Sequence, residues 1–513
     1  MKRIIAAAAA IAAAAETFAA AYRIGGTEYD IRGMTKVHQL ERKVQVDTVT
    51  VFRDEESFLE YIRKLRQEYD NTRAFENVGI DYSISSGEGD TSVVTLKIRL
   101  EEGFSFLTVP YLTFSTPSSG AVLTPKIKVK DSNFLGSMNP LTASMDLVIR
   151  DDFTVFEPEV NFTYDHPFEA GGIKFIWTND HTVSYTWGKT SPEWNLRTGL
   201  SAELPFRLFS LKAEFYQSST KDFDYDKYGD GTYFTEEAAL SAPFTLLDID
   251  GFSKIYSTPK VSFVWNWDPF IQNGDLSGIS GENTDLSGPY ITVGNTFSTS
   301  KVDWNGNFRD GWSLSLSPSI KYNFQLGRLE PESSCTPGIT FDMKGYRSFG
   351  IAGITGSLHG FFYGRNGSEK FDAQLRGIRD DQYFSGETAF SGDYACKPQA
   401  GIVLNLDVPV RILSTDFSKG IFRYLNFDVQ MSPFMDIALM SNKATGSFFD
   451  PKDGFYAAGL DILVYPRKWT GYTIRASLGL DVGRLLLRDV LNMDWRQDEE
   501  KWWELYIGLG LHY

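Results

Sequence analysis

Leu425-Asn426-Phe427-Asp428-Val429-Gln430-Met431-Ser432-Pro433-Phe434-Met435-Asp436-Ile437-Ala438 is the stretch that decides the fold. Leu425, Phe427, Val429, Met431, Met435 and Ile437 fall on one face of an extended chain, and Asn426, Asp428, Gln430, Ser432, Phe434 and Asp436 on the other. Successive side chains of a strand point to opposite sides, so period two separates an apolar from a largely polar face. A helix would scatter both sets around its circumference. Asp436 belongs to the polar face.

The same alternation extends in both directions. Tyr456, Ala458, Leu460, Ile462 and Val464 form one apolar row, and Ile474, Ala476, Leu478 and Leu480 another. At the C-terminus Leu505, Ile507, Leu509, Leu511 and Tyr513 share a face opposite Glu504, Gly508, Gly510 and His512. Earlier, Leu141, Met145, Leu147 and Ile149 alternate with Thr142, Ser144, Asp146 and Arg150, while Lys126, Lys128 and Lys130 share one face of their segment. Such rows suit strands between lipid and a wet lumen. A soluble sandwich also alternates, but the length, the leader described next and the terminal aromatic residue favour a transmembrane barrel. Roughly eighteen candidate strands lie between Pro110 and Tyr513, an even number as such barrels require.

Met1-Lys2-Arg3 is a positive start, Ile4 to Ala15 an apolar run, and Thr17-Phe18-Ala19 or Ala19-Ala20-Ala21 a small-residue cleavage site. Residues 1–21 therefore read as a secretory signal peptide, too short in its apolar run to span a bilayer as a helix. The 513 residues exceed one compact soluble core, so at least two units are expected. A formal charge of −16 without a basic stripe excludes a phosphate-neutralising surface, and with it nucleic acid as a partner. The two cysteines, Cys335 and Cys396, form either one disulfide or two free thiols, and an oxidising compartment favours the disulfide.

Residues 22–103 differ from the rest. Tyr29 to Gly33 reads as a short strand and Val37 to Val44 as a short helix. Asp54 is placed to cap a second helix whose Phe58, Tyr61, Ile62, Leu65 and Tyr69 share a face. Strands follow at Phe75 to Ser83 and along Val94, Leu96, Ile98 and Leu100. This order makes a small α+β domain. From residue 104 to 513 the helical period vanishes.

No constellation for catalysis is present. Asp222, Asp224, Asp226 and Asp230 faintly suggest a calcium loop, but Lys227 stands where an EF-hand needs glycine. The five histidines show no ligand spacing, and neither a GxSxG elbow nor a Walker loop occurs. The expectation is no enzyme, no metal and no cofactor. The remaining candidate is Leu375-Arg376-Gly377-Ile378, in a polar segment between two strand-like runs. On the residues alone Arg376 is a loop charge, Gly377 a residue that permits a tight turn, and Asp436 an inward-facing carboxylate that an arginine fork could match.

Several of these stretches resemble the Omp85 superfamily of outer-membrane proteins. Asn71-Thr72-Arg73-Ala74-Phe75-Glu76-Asn77-Val78 and the element order around it resemble a single POTRA domain. Asp131-Ser132-Asn133-Phe134-Leu135-Gly136 resembles the family's first periplasmic turn, and His166-Pro167-Phe168 a later one. Leu375-Arg376-Gly377-Ile378 resembles the loop-six signature, with Ile378 in place of the usual aromatic residue. Phe434-Met435-Asp436-Ile437-Ala438 resembles its partner strand motif, with Ala438 where glycine is usual. The paired motifs imply that Arg376 is the tip of a long loop folded back into the barrel and that Asp436 is the wall carboxylate that holds it.

The resemblance implies an all-β transmembrane barrel of 16 antiparallel strands preceded by one POTRA domain. Eighteen is the alternative count, the surplus pair falling between Ile173 and Trp265. It implies a place in the outer membrane of a diderm bacterium, with the POTRA domain in the periplasm. The implied partners are unfolded outer-membrane or secreted client polypeptides, outer-membrane lipids and accessory periplasmic proteins or lipoproteins. The activity implied is insertion or translocation of clients. The POTRA domain would capture them and a barrel seam, between Pro110–Ser115 and Trp503–Tyr513, would release them. A two-partner-type secretion pore and a passive porin-like channel are the alternatives.

Overall fold

In the computed structural model the alternating stretches are strands, and the change from helical period to period two marks the boundary between two units. The structure describes residues 21–86, 91–115, 122–150, 154–222, 232–248, 254–267, 289–329, 331–364, 374–377, 398–418, 424–442, 446–483 and 503–511. Met1–Phe104 with Leu135–Met138 forms one unit, and Ser105–Phe134 with Asn139–Tyr513 the other. The signal-peptide segment, Ala21 apart, lies outside the described residues, as do Ile378, Cys396 and Tyr513.

The N-terminal unit contains β1 (Ala21–Arg32), α1 (Val37–Lys43), β2 (Val51–Phe52), α2 (Glu55–Asn71), β3 (Phe75–Ser86) and β4 (Thr91–Glu102). Its sheet order is β2-β1-β4-β3, with β1 parallel to β4 and the other pairs antiparallel. The Asp54 side chain accepts a hydrogen bond from the Ser57 backbone N–H at 2.7 Å, supplying the cap that starts α2. Phe58, Tyr61, Leu65 and Tyr69 bury one face of that helix with Val94, Leu96, Ile98 and Leu100 of β4. Ile62 is only half-buried. The first strand is longer than its sequence suggests, because Gly25-Gly26 interrupts the alternation and produces a register shift between Ile24 and Gly26.

The second unit is a closed antiparallel barrel. Its strands are β5 (Phe106–Ser115), β6 (Val122–Asp131), β7 (Leu141–Arg150), β8 (Val155–Ala170), β9 (Ile173–Ser184), β10 (Glu193–Pro205) and β11 (Ser210–Lys221). Next come β12 (Thr232–Ser241), β13 (Phe244–Asp248), β14 (Lys254–Trp267), β15 (Tyr290–Asn305), β16 (Phe308–Asn323), β17 (Cys335–Ser348) and β18 (Gly353–Tyr363). The last are β19 (Pro398–Asp407), β20 (Val410–Ser414), β21 (Phe427–Asn442), β22 (Ser447–Phe448), β23 (Phe455–Pro466), β24 (Ile474–Asp481) and β25 (Trp503–Leu509).

Three of these passes are broken in two. β12 and β13 both pair with β14 across Ala242-Pro243, β19 and β20 both pair with β21 across Val408-Pro409, and β22 and β23 both pair with β21. Proline lacks the N–H a ladder needs, which accounts for the first two interruptions. Among the described residues the 21 strands make eighteen passes, which corrects the implied sixteen to the alternative count. The short runs between Ile173 and Trp265 are complete passes. Their inward faces carry Lys212, Glu214, Tyr216 and Glu237 as well as small residues, which blurs the alternation.

Along β21 the expected faces are present: Asp428, Gln430, Ser432, Phe434 and Asp436 are buried, and Met431 and Met435 are exposed. His166-Pro167-Phe168, expected in a turn, lies within β8. The turn follows at Gly171-Gly172, where both residues have positive φ. Proline is tolerated there near the end of the strand. Among the described residues no helix is long and apolar enough to cross a membrane, a statement that does not concern strands.

Candidate functional site

Adjacent strands β19, β21 and β23 present one wall of the bore. Asn405 of β19 stands opposite Asp436 of β21, Asp407 opposite Phe434, and Ser432 of β21 opposite Asp461 of β23. Period two thus aims Asp407, Asp436 and Asp461 at one region of the interior. Against it lies the tip of the β18–β19 connection, Gln374–Gly377.

Arg376 is 2% exposed and Asp436 0%. The guanidinium grips Asp436 in a fork: Nε donates to Oδ2 at 2.9 Å and Nη2 to Oδ1 at 2.6 Å. The Arg376 backbone N–H donates to the same Oδ2 at 2.9 Å. Nη1 donates to Asp407 Oδ1 at 2.7 Å and to Asp461 Oδ2 at 3.1 Å. The planar group also lies over the Phe434 ring, its central carbon 3.6 Å from the centroid. Burial opposes the charge on Arg376, but the Asp436 and Asp407 carboxylates outweigh it and push the guanidinium pKa upward.

The rest of the tip is held as firmly. Leu375, 0% exposed, packs with Phe361, Val403, Ala438, Met440, Phe455 and Ala457. The Asn405 amide donates to the Gln374 carbonyl at 2.7 Å, and the Gly377 N–H donates to Glu504 Oε2 at 3.1 Å. Gly377 has φ +82, and a Cβ there would fall 2.6 Å from the Gly479 carbonyl carbon. Only glycine combines that conformation with that approach.

The structure therefore brings Leu375, Arg376 and Gly377 together with Phe434 and Asp436. Asp407, Asp461, Asn405 and Glu504 are additional contributors. Asp461 could have been found from its parity, since it falls between Leu460 and Ile462 of an apolar row. The same holds for Asp407, two residues beyond Asn405.

Leu505 is exposed on the outer face, with Ile507 and Leu509 in phase. Leu511 corrects the expected seam row: β25 ends at Leu509, Gly510 has φ +99, and Leu511 lines the internal cavity beside Arg376 and Asp461. Among the described residues β25 meets β5 through one register pair, Leu505 with Phe114, whereas β10 and β11 share twelve. At the other end of β5 the β23–β24 turn reaches across. Trp469 Nε1 donates to the Phe106 carbonyl at 2.9 Å, and the Tyr472 hydroxyl bonds the carbonyls of Ser105 and Lys130, the latter at 2.8 Å. Cys335 begins β17, and its expected partner Cys396 lies outside the described residues. Among the described residues no group of three or more His, Cys, Asp and Glu side chains is arranged to hold a metal ion.

Fold and site define a class: a closed β-barrel with an apolar outer face, whose bore holds an inserted loop tip. No protein-family model and no curated protein matches the sequence. Among solved structures, the chain is similar to CdiB from Acinetobacter baumannii, at 11% identity over 95% of this chain and 73% of that one, with a TM-score of 0.47. CdiB from Escherichia coli is similar at 11% identity over 94% and 75%, with a TM-score of 0.44. BamA from Haemophilus ducreyi lacking POTRA domains 1-3 is similar at 12% identity over 95% and 85%, with a TM-score of 0.39.

Proposed function

We propose that the chain is an outer-membrane protein of the Omp85 superfamily that inserts or translocates client polypeptides, with residues 22–103 acting as a periplasmic POTRA domain. The observation that carries this reading is the loop tip in the bore, with the Arg376 guanidinium 2% exposed against three wall carboxylates. A passive channel has no use for a stopper fixed this tightly. The thinly paired seam supports release through the wall, because ladder groups left open within lipid have no water to satisfy them and are a template for an incoming strand. The N-terminal sheet supports capture: among the described residues β3 is a twelve-residue edge strand paired with β4 alone, open to strand addition by an extended client. Clients, accessory periplasmic proteins or lipoproteins and lipids are the partners on this reading. Client folding, rather than a nucleotide, would supply the free energy.

Depletion in the native host, followed by a census of outer-membrane β-proteins and secreted proteins, tests the proposal. Loss of many barrel proteins identifies an insertase, and loss of one secreted protein identifies a secretion pore. Unchanged levels of both would overturn the reading.

A further inference from the structure

The outward face of β11, β12 and β14 carries a carboxylate where lipid contact calls for an apolar side chain. Cross-strand register places Gln217, Glu236 and Trp265 in one row, Phe215, Ala238 and Phe263 in the next, and Trp267 beside Phe234 in the row toward the long β11–β12 connection. Phe215, Phe263 and Trp265 are exposed, and Trp267 stacks on Phe234 with ring centroids 4.7 Å apart. Ala238 between two phenylalanines leaves a groove of about 550 Å³ with aromatic walls and a small-residue floor. Glu236 closes one end.

Only half of that carboxylate is satisfied. Gln217 Nε2 donates to Glu236 Oε1 at 2.8 Å, whereas Oε2 is shut off from solvent and has no hydrogen-bond partner among the described residues. An acceptor in that state is costly to maintain on an apolar wall. Aromatic faces and an acceptor-only carboxylate share one complementary ligand, an ammonium group.

We propose that this groove binds a membrane lipid with a primary ammonium head group. The ammonium draws the Glu236 carboxylate outward and pairs with Oε2 beside Trp265 and Trp267, and one acyl chain lies along Ala238. The order along β12 fits an amphiphile, since the carboxylate is nearer the long-connection end and Ala238 and exposed Leu240 follow toward the middle of the pass that β12 and β13 form together. Tryptophans at the carboxylate end match the interfacial level of a bilayer. The inference rests on the membrane reading above but not on the client-handling role.

The test is native mass spectrometry of the full-length protein released from nanodiscs of phosphatidylethanolamine and phosphatidylglycerol in equal amounts. Wild type is expected to retain phosphatidylethanolamine preferentially, and Glu236→Gln to lose that preference by about tenfold. Trp265→Ala is a second variant, expected to weaken the same preference while leaving the carboxylate in place. Equal retention of both lipids by wild type, or an unchanged ratio in both variants, overturns the proposal. So does displacement of lipid by an oligolysine peptide with no head-group preference. Failure of wild type to enter a bilayer of phosphatidylglycerol alone would instead overturn the membrane reading, so the two failures are distinguishable.

Discussion

Arg376 gives its whole donor set to the barrel wall, and the consequence is asymmetric. A buried ion pair adds little beyond a well-packed apolar substitute, yet removing one partner strands the other without compensation. Here one guanidinium serves Asp407, Asp436 and Asp461, so its loss leaves three carboxylates facing one another. Arg376→Ala is expected to weaken docking of the tip by about 3–5 kcal/mol. The check is protease cleavage of the β18–β19 connection in the folded barrel, fast in the variant and slow in wild type. Arg376→Asp should behave the same way, and adding Asp436→Arg should restore part of both protection and function. A double variant no better than either single one would remove the proposed contact. The Arg376–Asp436 partnership was legible because Leu375–Ile378 and Phe434–Ala438 resemble paired motifs of one family, and strand parity added only that Asp436 faces inward. Asp407 and Asp461 carry the same inward parity, but no short motif links them to the tip. Their convergence depends on the register among β19, β21 and β23, which one sequence does not display.

Among the elements, the β23–β24 turn has a mechanical role out of proportion to its length. The β25–β5 ladder offers one register pair, so Tyr472 and Trp469 clasp the opposite end of β5 with side chains instead. Tyr472→Phe removes a donor and keeps the ring, while Trp469→Phe removes a donor and replaces the indole with a smaller aromatic ring; each lost hydrogen bond costs about 1 kcal/mol. The double variant is expected to unfold in SDS several degrees below wild type, as read by the gel shift of the heated barrel. An unchanged transition would show that the clasp does not hold the seam.

The N-terminal unit gives a pH prediction. Burial drives the Tyr61 hydroxyl pKa up to about 12 and pushes that of Tyr69 up further. Folding therefore favours the protonated forms. The stability they contribute is complete below the unfolded value, about 10, and is lost as pH rises toward the folded values. Urea unfolding followed by helical circular dichroism should show that decline above pH 10. A flat profile to pH 11.5 would contradict it. Strand lengths were less legible than strand existence. Gly25-Gly26 hid most of β1.

For the molecule as a whole, the change from helical period to period two marked where a small α+β domain gives way to an all-β unit, while length, the leader and the family resemblance, rather than alternation, pointed to a barrel. The number of passes was harder to read, since inward charges between Ile173 and Trp265 weaken the pattern where it is needed for counting. The architecture that results is an apolar cylinder of eighteen passes with a loop tip fixed inside it. The most direct measurement is an electron cryo-microscopy map of the full-length protein in lipid nanodiscs, at a resolution that shows side chains. The account predicts the Arg376 guanidinium inside the bore, forked onto Asp436 and touching Asp407 and Asp461. Density placing that side chain in bulk solvent, with the three carboxylates facing an empty lumen, would contradict it.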